Sequence, residues 1–204
     1  TITIKGAGTT SVTLTQAADA NYQAATANMT LTVDKAAPVV SFNDVANTYG
    51  DSPFILSATS SNTSAFTYSV TDTSVANVSG NTITIVGAGT TSVTLTQVSD
   101  SNYLAATATM TLSVGKASPV ITFLDVSKTI IDSDFTLSAT SSNTSDKVYT
   151  VSNTDVATVS GNTVTIIGLG TTLITVTQVP DSNYQAATAT MTLSVGKASP
   201  VITF

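Results

Sequence analysis

Apolar and polar residues alternate with a period of two along most of this 204-residue chain. That spacing belongs to strands with one buried face and one wet face. In Thr82-Ile83-Thr84-Ile85 the isoleucines share one side and the threonines the other, and Ser92–Thr96 and Thr107–Val114 continue the pattern. Thr, Val and Ile are β-branched and fit a pleated surface better than a helix. No window carries a convincing 3.6-residue period. Between the apolar runs stand turn formers. Gly80-Asn81 and Gly161-Asn162 read as tight hairpin turns in which both residues tolerate positive φ. Gly87-Ala88-Gly89, Ser61-Asn62-Thr63-Ser64 and Asp100-Ser101-Asn102-Tyr103 mark further breaks. The predicted strands are Pro38–Phe42, Pro53–Thr59, Ala65–Thr71, Val75–Ser79, Thr82–Val86, Thr90–Gln97 and Ala105–Val114.

The pattern also returns on a larger scale. A 42-residue tract starts at Thr1, again at Thr82 and again at Thr163, a spacing of 81 residues each time with no insertion or deletion. Fixed-period self-similarity marks an array of equal units, and 81 residues suits a small β-domain. Seven short antiparallel strands per unit predict an all-β chain of tandem immunoglobulin-like sandwiches, arranged end to end as a rod. Their inner faces would hold Val40, Phe42, Phe54, Leu56, Val75, Val78, Ile83, Ile85, Val93, Leu95, Met110 and Leu112. Unit boundaries fall at the Lys-Ala-x-Pro segments. Residues 1–34 are then the back half of one unit, 35–115 and 116–196 are complete, and 197–204 begin another. The chain reads as a window from a longer array. Its partners would be neighbouring repeats of the same chain, with surface glycans or proteins engaged through regions outside the window.

Composition narrows the chemistry. The chain has no His, Cys, Trp, Glu or Arg, and its net charge of −6 comes from 12 Asp against 6 Lys. Six scattered lysines cannot neutralise a row of phosphates, so nucleic acid is not an expected partner. No apolar run is long enough to span a bilayer, so no membrane insertion is expected in this segment. Without Cys the units rely on packing and backbone pairing alone.

The tract Val75-Ala76-Asn77-Val78-Ser79-Gly80-Asn81-Thr82-Ile83-Thr84-Ile85, continuing through Gly87 and Gly89 to Ser92-Val93-Thr94-Leu95-Thr96, resembles the hallmark of bacterial Ig-like repeats of the group 2 kind. Val156–Val176 matches it equally well, and the Asn-Tyr-x-Ala-Ala-Thr loop and the closing Val-Gly-Lys-Ala-x-Pro are similar to repeats of giant surface adhesins of Bacteroidota-type bacteria. The resemblance implies an extracellular location on the bacterial cell surface and a stalk role in an adhesin or filament. It supplies no catalytic, cofactor-binding or metal-binding residue to carry over.

The residues themselves agree. An enzyme needs an activated nucleophile or an acid–base pair, and here only Asp, Lys, Ser, Thr and Tyr are on hand. Asp44/Asp125, Asp51/Asp132, Asp100/Asp181 and Asp72/Asp155 recur in turn contexts, where Asp bonds its own backbone. The chain is therefore not expected to be an enzyme and no cofactor is expected. Asp132-Ser133-Asp134 offers two hard oxygen ligands for calcium, but its counterpart Asp51-Ser52-Pro53 lacks the second carboxylate. Tyr22, Tyr103 and Tyr184 hold one repeated place, read as structural corners rather than sugar platforms. Asn62-Thr63-Ser64 and Asn143-Thr144-Ser145 satisfy the glycosylation sequon.

The expected function is a structural spacer in a bacterial surface adhesin or filament. The alternative is a module that itself recognises a glycan or host protein. Loops that barely vary favour the spacer. The most divergent segments are Asn43–Asp51 against Leu124–Asp132, and Ala65-Phe66 against Asp146-Lys147. Any contact surface of the alternative reading would lie there.

Overall fold

The computed structural model describes Thr1–Thr203, so the final residue of the predicted 197–204 segment lies outside the described residues. Every element among the described residues is a strand. The chain divides into two units. One takes Thr1–Asn47, Asp51–Val86 and Thr90–Ser113; the other takes Thr48–Gly50, Gly87–Gly89 and the residues from Val114 onward.

The first unit opens with a hairpin of β1 (Gly8–Gln16) and β2 (Ala25–Val33), paired antiparallel from Gly8↔Val33 to Gln16↔Ala25. The strands that follow are β3 (Val40–Phe42), β4 (Val45–Thr48), β5 (Phe54–Ile55), β6 (Ala58–Ser60), β7 (Phe66–Val70), β8 (Ala76–Ser79), β9 (Thr82–Ile85), β10 (Gly89–Gln97) and β11 (Ala106–Gly115). One layer has the order β4-β11-β10-β7; the other is made of β3-β6 and β5-β9-β8. This is the immunoglobulin-like division of strands between two sheets. Leu56, Val75, Ile83, Val93, Leu95, Met110 and Leu112 of the predicted core are buried. Val40, Phe42, Phe54, Val78 and Ile85 are only half-buried. A domain this small cannot cover every inward side chain. Phe42 reaches across the layers to Tyr68, ring centroids 5.8 Å apart.

The second unit repeats the order with β12 (Ile121–Thr122), β13 (Val126–Thr129), β14 (Phe135–Thr136), β15 (Thr140–Ser141), β16 (Lys147–Val151), β17 (Ala157–Ser160), β18 (Thr163–Ile166), β19 (Gly170–Gln178) and β20 (Ala187–Gly196). Its sheets run β13-β20-β19-β16, β14-β18-β17 and β12-β15. Leu137, Val156, Val164, Ile174, Met191 and Leu193 form the buried centre, with Phe123, Phe135 and Tyr149 packed against it.

Three features differ from the sequence expectation. An additional short strand, β13, lies parallel to β20, from Val126↔Leu193 to Thr129↔Gly196, so the sandwich is not wholly antiparallel. The strand predicted over Pro53–Thr59 is split, because β5 pairs with β9 while β6 pairs with β3. In the tight turns only Gly80 (φ +60°) and Gly161 (φ +61°) take positive φ, not the asparagines. That is the type II′ pattern, whose twist matches the flanking strands.

Candidate functional site: the loop at the repeat junctions

The polar loop before each last strand is built by its aspartate. Asp100 accepts hydrogen bonds at one carboxylate oxygen from the backbone N–H groups of Asn102 and Tyr103, both at 2.7 Å. Its own N–H donates to the Tyr103 carbonyl at 3.1 Å. Asp19 makes the same bonds with Asn21 and Tyr22 at 2.8 and 2.7 Å. The turn therefore forms from local chemistry alone, as Asp does in such turns.

In the first unit this loop receives the connector segment. Lys35 Nζ donates to the Asp100 carbonyl at 2.6 Å. The Ala36 N–H donates to the Asn102 carbonyl at 2.8 Å and the Ala36 carbonyl accepts from Leu104 N–H at 2.9 Å. Ala36 and Tyr103 thus make an isolated parallel bridge. The Asn102 side chain turns the other way, and its Oδ1 accepts from the Ala7 N–H at 3.0 Å. The approach needs glycine next door: a Cβ on Gly6 would stand 2.9 Å from that oxygen.

The second unit repeats every contact. Lys116 Nζ donates to the Asp181 carbonyl at 2.6 Å. Ala117 bonds Asn183 and Gln185 through its backbone, each at 2.9 Å. Asn183 Oδ1 accepts from Ala88 N–H at 2.9 Å, within the Gly87–Gly89 stretch that this unit includes. The Tyr184 ring meets the Tyr49 ring edge-on, 5.4 Å between centroids. Hydrogen bonds from Tyr184 N–H, then Asn183 N–H and the Ser145 hydroxyl, hold the Asp181 carboxyl below the usual carboxylate range. Tyr22, by contrast, is exposed.

Several other carboxylates accept from backbone, hydroxyl or amide groups. Asp44 accepts from Thr111 N–H and Asp125 from Thr192 N–H, both at 2.6 Å. Asp132 accepts from Thr129 N–H at 2.8 Å, which holds its pKa low, and Asp134 accepts from the Thr165 hydroxyl at 2.9 Å. The two members of the calcium candidate thus face different partners, and no group of three or more His, Cys, Asp or Glu forms among the described residues. Asp51 bonds Asn47 Nδ2 at 3.4 Å. Asp72 accepts from the Ser74 hydroxyl and N–H, which lower its pKa. Its counterpart is Asn153, which accepts from Asp155 N–H at 3.0 Å; Asp155 itself occupies the Ser74 position.

Sequence reasoning passed over Gln97 and Gln178, both fully buried. Gln97 Nε2 donates to the Asn62 and Ser64 carbonyls at 2.9 and 2.7 Å, and its Oε1 accepts from the Ser60 hydroxyl at 2.7 Å. Gln178 clamps Asn143, Ser145 and Ser141 in the same way. The clamp gives the unvarying Ser-Asn-Thr-Ser loops a structural reason. It also buries the sequon asparagines, and Asn62 Nδ2 donates to the Val98 carbonyl at 3.2 Å. The available signal was parity: Val93, Leu95 and Gln97 share one strand face.

No family model matches the chain. No curated protein matches it either. Among solved structures, the titin Z1Z2 domains in complex with telethonin are 18% identical, with 82% of this chain and 100% of that chain covered at a TM-score of 0.39. The EC1–2 repeats of human protocadherin-24 are 15% identical over 72% of this chain and 88% of that one, TM-score 0.35. Domains 4 and 5 of the S-layer protein SbsC are 16% identical over 80% and 99%, TM-score 0.32. The immunoglobulin-like assignment rests on the strand order itself. Among the described residues no helix is long and apolar enough to cross a membrane.

Proposed function

We propose that this chain is a spacer segment of a large secreted bacterial surface adhesin or filament, built from repeats of the group 2 Ig-like kind. The observation that carries the reading is the repeated loop. Lys35, Ala36 and Asn102 in one unit, and Lys116, Ala117 and Asn183 in the other, make the same bonds at nearly the same lengths. A binder varies its loops, whereas these loop residues are held by internal bonds. The repeats 35–115 and 116–196 act as equal beads, with neighbouring repeats as partners and no catalytic residue or cofactor assigned.

The test has two parts. The 204-residue chain is expected to give no saturable signal on a glycan array or on host cells; saturable binding overturns the spacer reading. Replacing Asn102 and Asn183 with Ala is expected to speed hydrogen exchange at Ala7 and Ala88, at about 1 kcal/mol per lost bond. Unchanged exchange removes the loop from its assigned role. The binding alternative draws on one feature, the exposed Leu124 and Ile131 within the divergent 124–132 segment. Array binding lost on Ile131→Ser would establish it.

A further inference from the structure

β7 ends its sheet and is paired on one side only, to β10. Val70 lies opposite Val93 and Phe66 opposite Gln97, and the Thr71 N–H donates to the Ser92 carbonyl at 3.0 Å. Bonded and unbonded pairs alternate along an antiparallel ladder. Thr67 and Ser69 therefore bond β10 together with Thr71, and the N–H and C=O groups of Phe66, Tyr68 and Val70 point away from it. Among the described residues no strand pairs with that outer side. The side chains of Phe66, Tyr68 and Val70 share the inward face with buried Val93, Leu95 and Gln97, yet they are only half-buried. Phe66 and Tyr68, ring centroids 6.2 Å apart, line an open cleft of about 340 Å³ with Gly80 and Asn81.

Sheet edges are ordinarily guarded against pairing by charge, proline or a bulge. The counterpart edge in the second unit is guarded: Lys147 of β16 stands where β7 has Phe66, and Asp146 stands where the first unit has Ala65. From Ala65 to Thr71 there is no charge, proline or glycine. A second copy of β7 fits this edge by symmetry. Laid antiparallel about Tyr68, it sets Tyr68 opposite Tyr68 of the other copy and Phe66 opposite Val70 of the other copy. In that single register every outward N–H and C=O of the three residues meets a partner, as an isologous contact requires. Two half-buried Phe–Val pairs close over each other, and no like charges are brought together along the strand. We infer that β7 is a lateral association edge, at which two copies of the chain join their four-stranded sheets β7 to β7. The inference goes beyond the spacer reading and does not rest on it.

An edge of five residues buries far less than the roughly 1,200–2,000 Å² of a standard interface, so a single pair is short-lived and is best read by trapping it. The chain has no Cys, so introduced thiols report one register. Thr67 and Ser69 are exposed, and in the proposed pair Thr67 lies opposite Ser69 of the other copy. A mixture of full-length Thr67→Cys and Ser69→Cys chains, oxidised with diamide, is expected to form a 67-to-69 disulfide dimer about tenfold faster than either chain alone, because only that pairing brings the two Cα atoms within bridging distance. Val148→Cys mixed with Thr150→Cys, the same positions on β16, should stay at the background rate. Adding Phe66→Lys to both β7 chains, the residue that the second unit carries there, should slow the cross-link about tenfold by removing two aromatic–Val pairs and bringing charge to the edge. The inference is overturned if the β7 mixture links no faster than either chain alone or than the β16 mixture, or if Phe66→Lys leaves its rate unchanged. None of these outcomes bears on the glycan-array result, so the spacer reading stands or falls separately.

Discussion

The nine residues Gly8–Gln16 and Gly89–Gln97 are identical, and both pair with a long antiparallel strand, yet their surroundings differ. Leu95 is fully buried where Leu14 is 71% exposed, and Met110 is 2% exposed where Met29 is 52% exposed. Hairpin pairing and the Asp19 turn are therefore locally encoded and appear in both settings. Burial is not local. It comes from the opposing layer, which residues 40–86 provide for one hairpin only. Within one chain the two copies separate what a strand's own sequence determines from what a second sheet adds.

The largest expected contrast is Leu95→Ala against Leu14→Ala. The buried change should cost about 2–5 kcal/mol through lost transfer energy and a cavity. The exposed change should stay within about 0.5 kcal/mol. Urea unfolding followed at NMR signals of β10 and β1 measures both, and equal effects would mean that the hairpin face is covered. Next comes Gln97→Ala against Gln16→Ala. Removing the Gln97 amide strands the Asn62 and Ser64 carbonyls in a buried loop, at about 1–3 kcal/mol. The exposed Gln16 should show almost none of this. Comparing the same melts would expose a clamp that is dispensable.

The smallest effect concerns the aspartate-held turns. The Asp181, Asp72 and Asp132 carboxyls all lie below their ordinary range because donors hold the ionised form. A depressed folded pKa gives stability that is fully present above the unfolded value of about 4 and is lost as pH falls through the folded value. With no His, the chain has no side chain that ordinarily titrates near neutrality. Stability should thus be level from pH 7 to about 5 and decline in acid, and Asp181→Asn should shallow that decline. An acid limb unchanged by the substitution would take the turn out of the pH response.

Period-two patterning placed six of the seven strands predicted for the first complete sandwich within about two residues, because inward Val, Leu, Ile and Met alternate with Thr and Ser, whereas Pro53–Thr59 is two strands with different partners. It missed β4 and β13. Val45-Ala46-Asn47-Thr48 and Val126-Ser127-Lys128-Thr129 carry a single apolar anchor of any size, and their parallel partner lies distant in sequence. Nothing in a strand's composition states its direction. The loop residues were visible as turn formers, but only the fold shows that Asn102 and Asn183 point outward to Ala7 and Ala88. The glutamine clamp hid for a different reason. A polar residue at an inward position looks like the end of a strand until its partners are seen.

The parallel ladder of β13 on β20 has a mechanical meaning. β13 lies near the start of its repeat and β20 closes it, so tension on the two ends drags these neighbours lengthwise in opposite directions. The four rungs from Val126↔Leu193 to Thr129↔Gly196 then resist together, and the Ile130 N–H bond to the Gly196 carbonyl shares the load. Such a fastening gives way all at once, whereas an antiparallel end would unzip rung by rung.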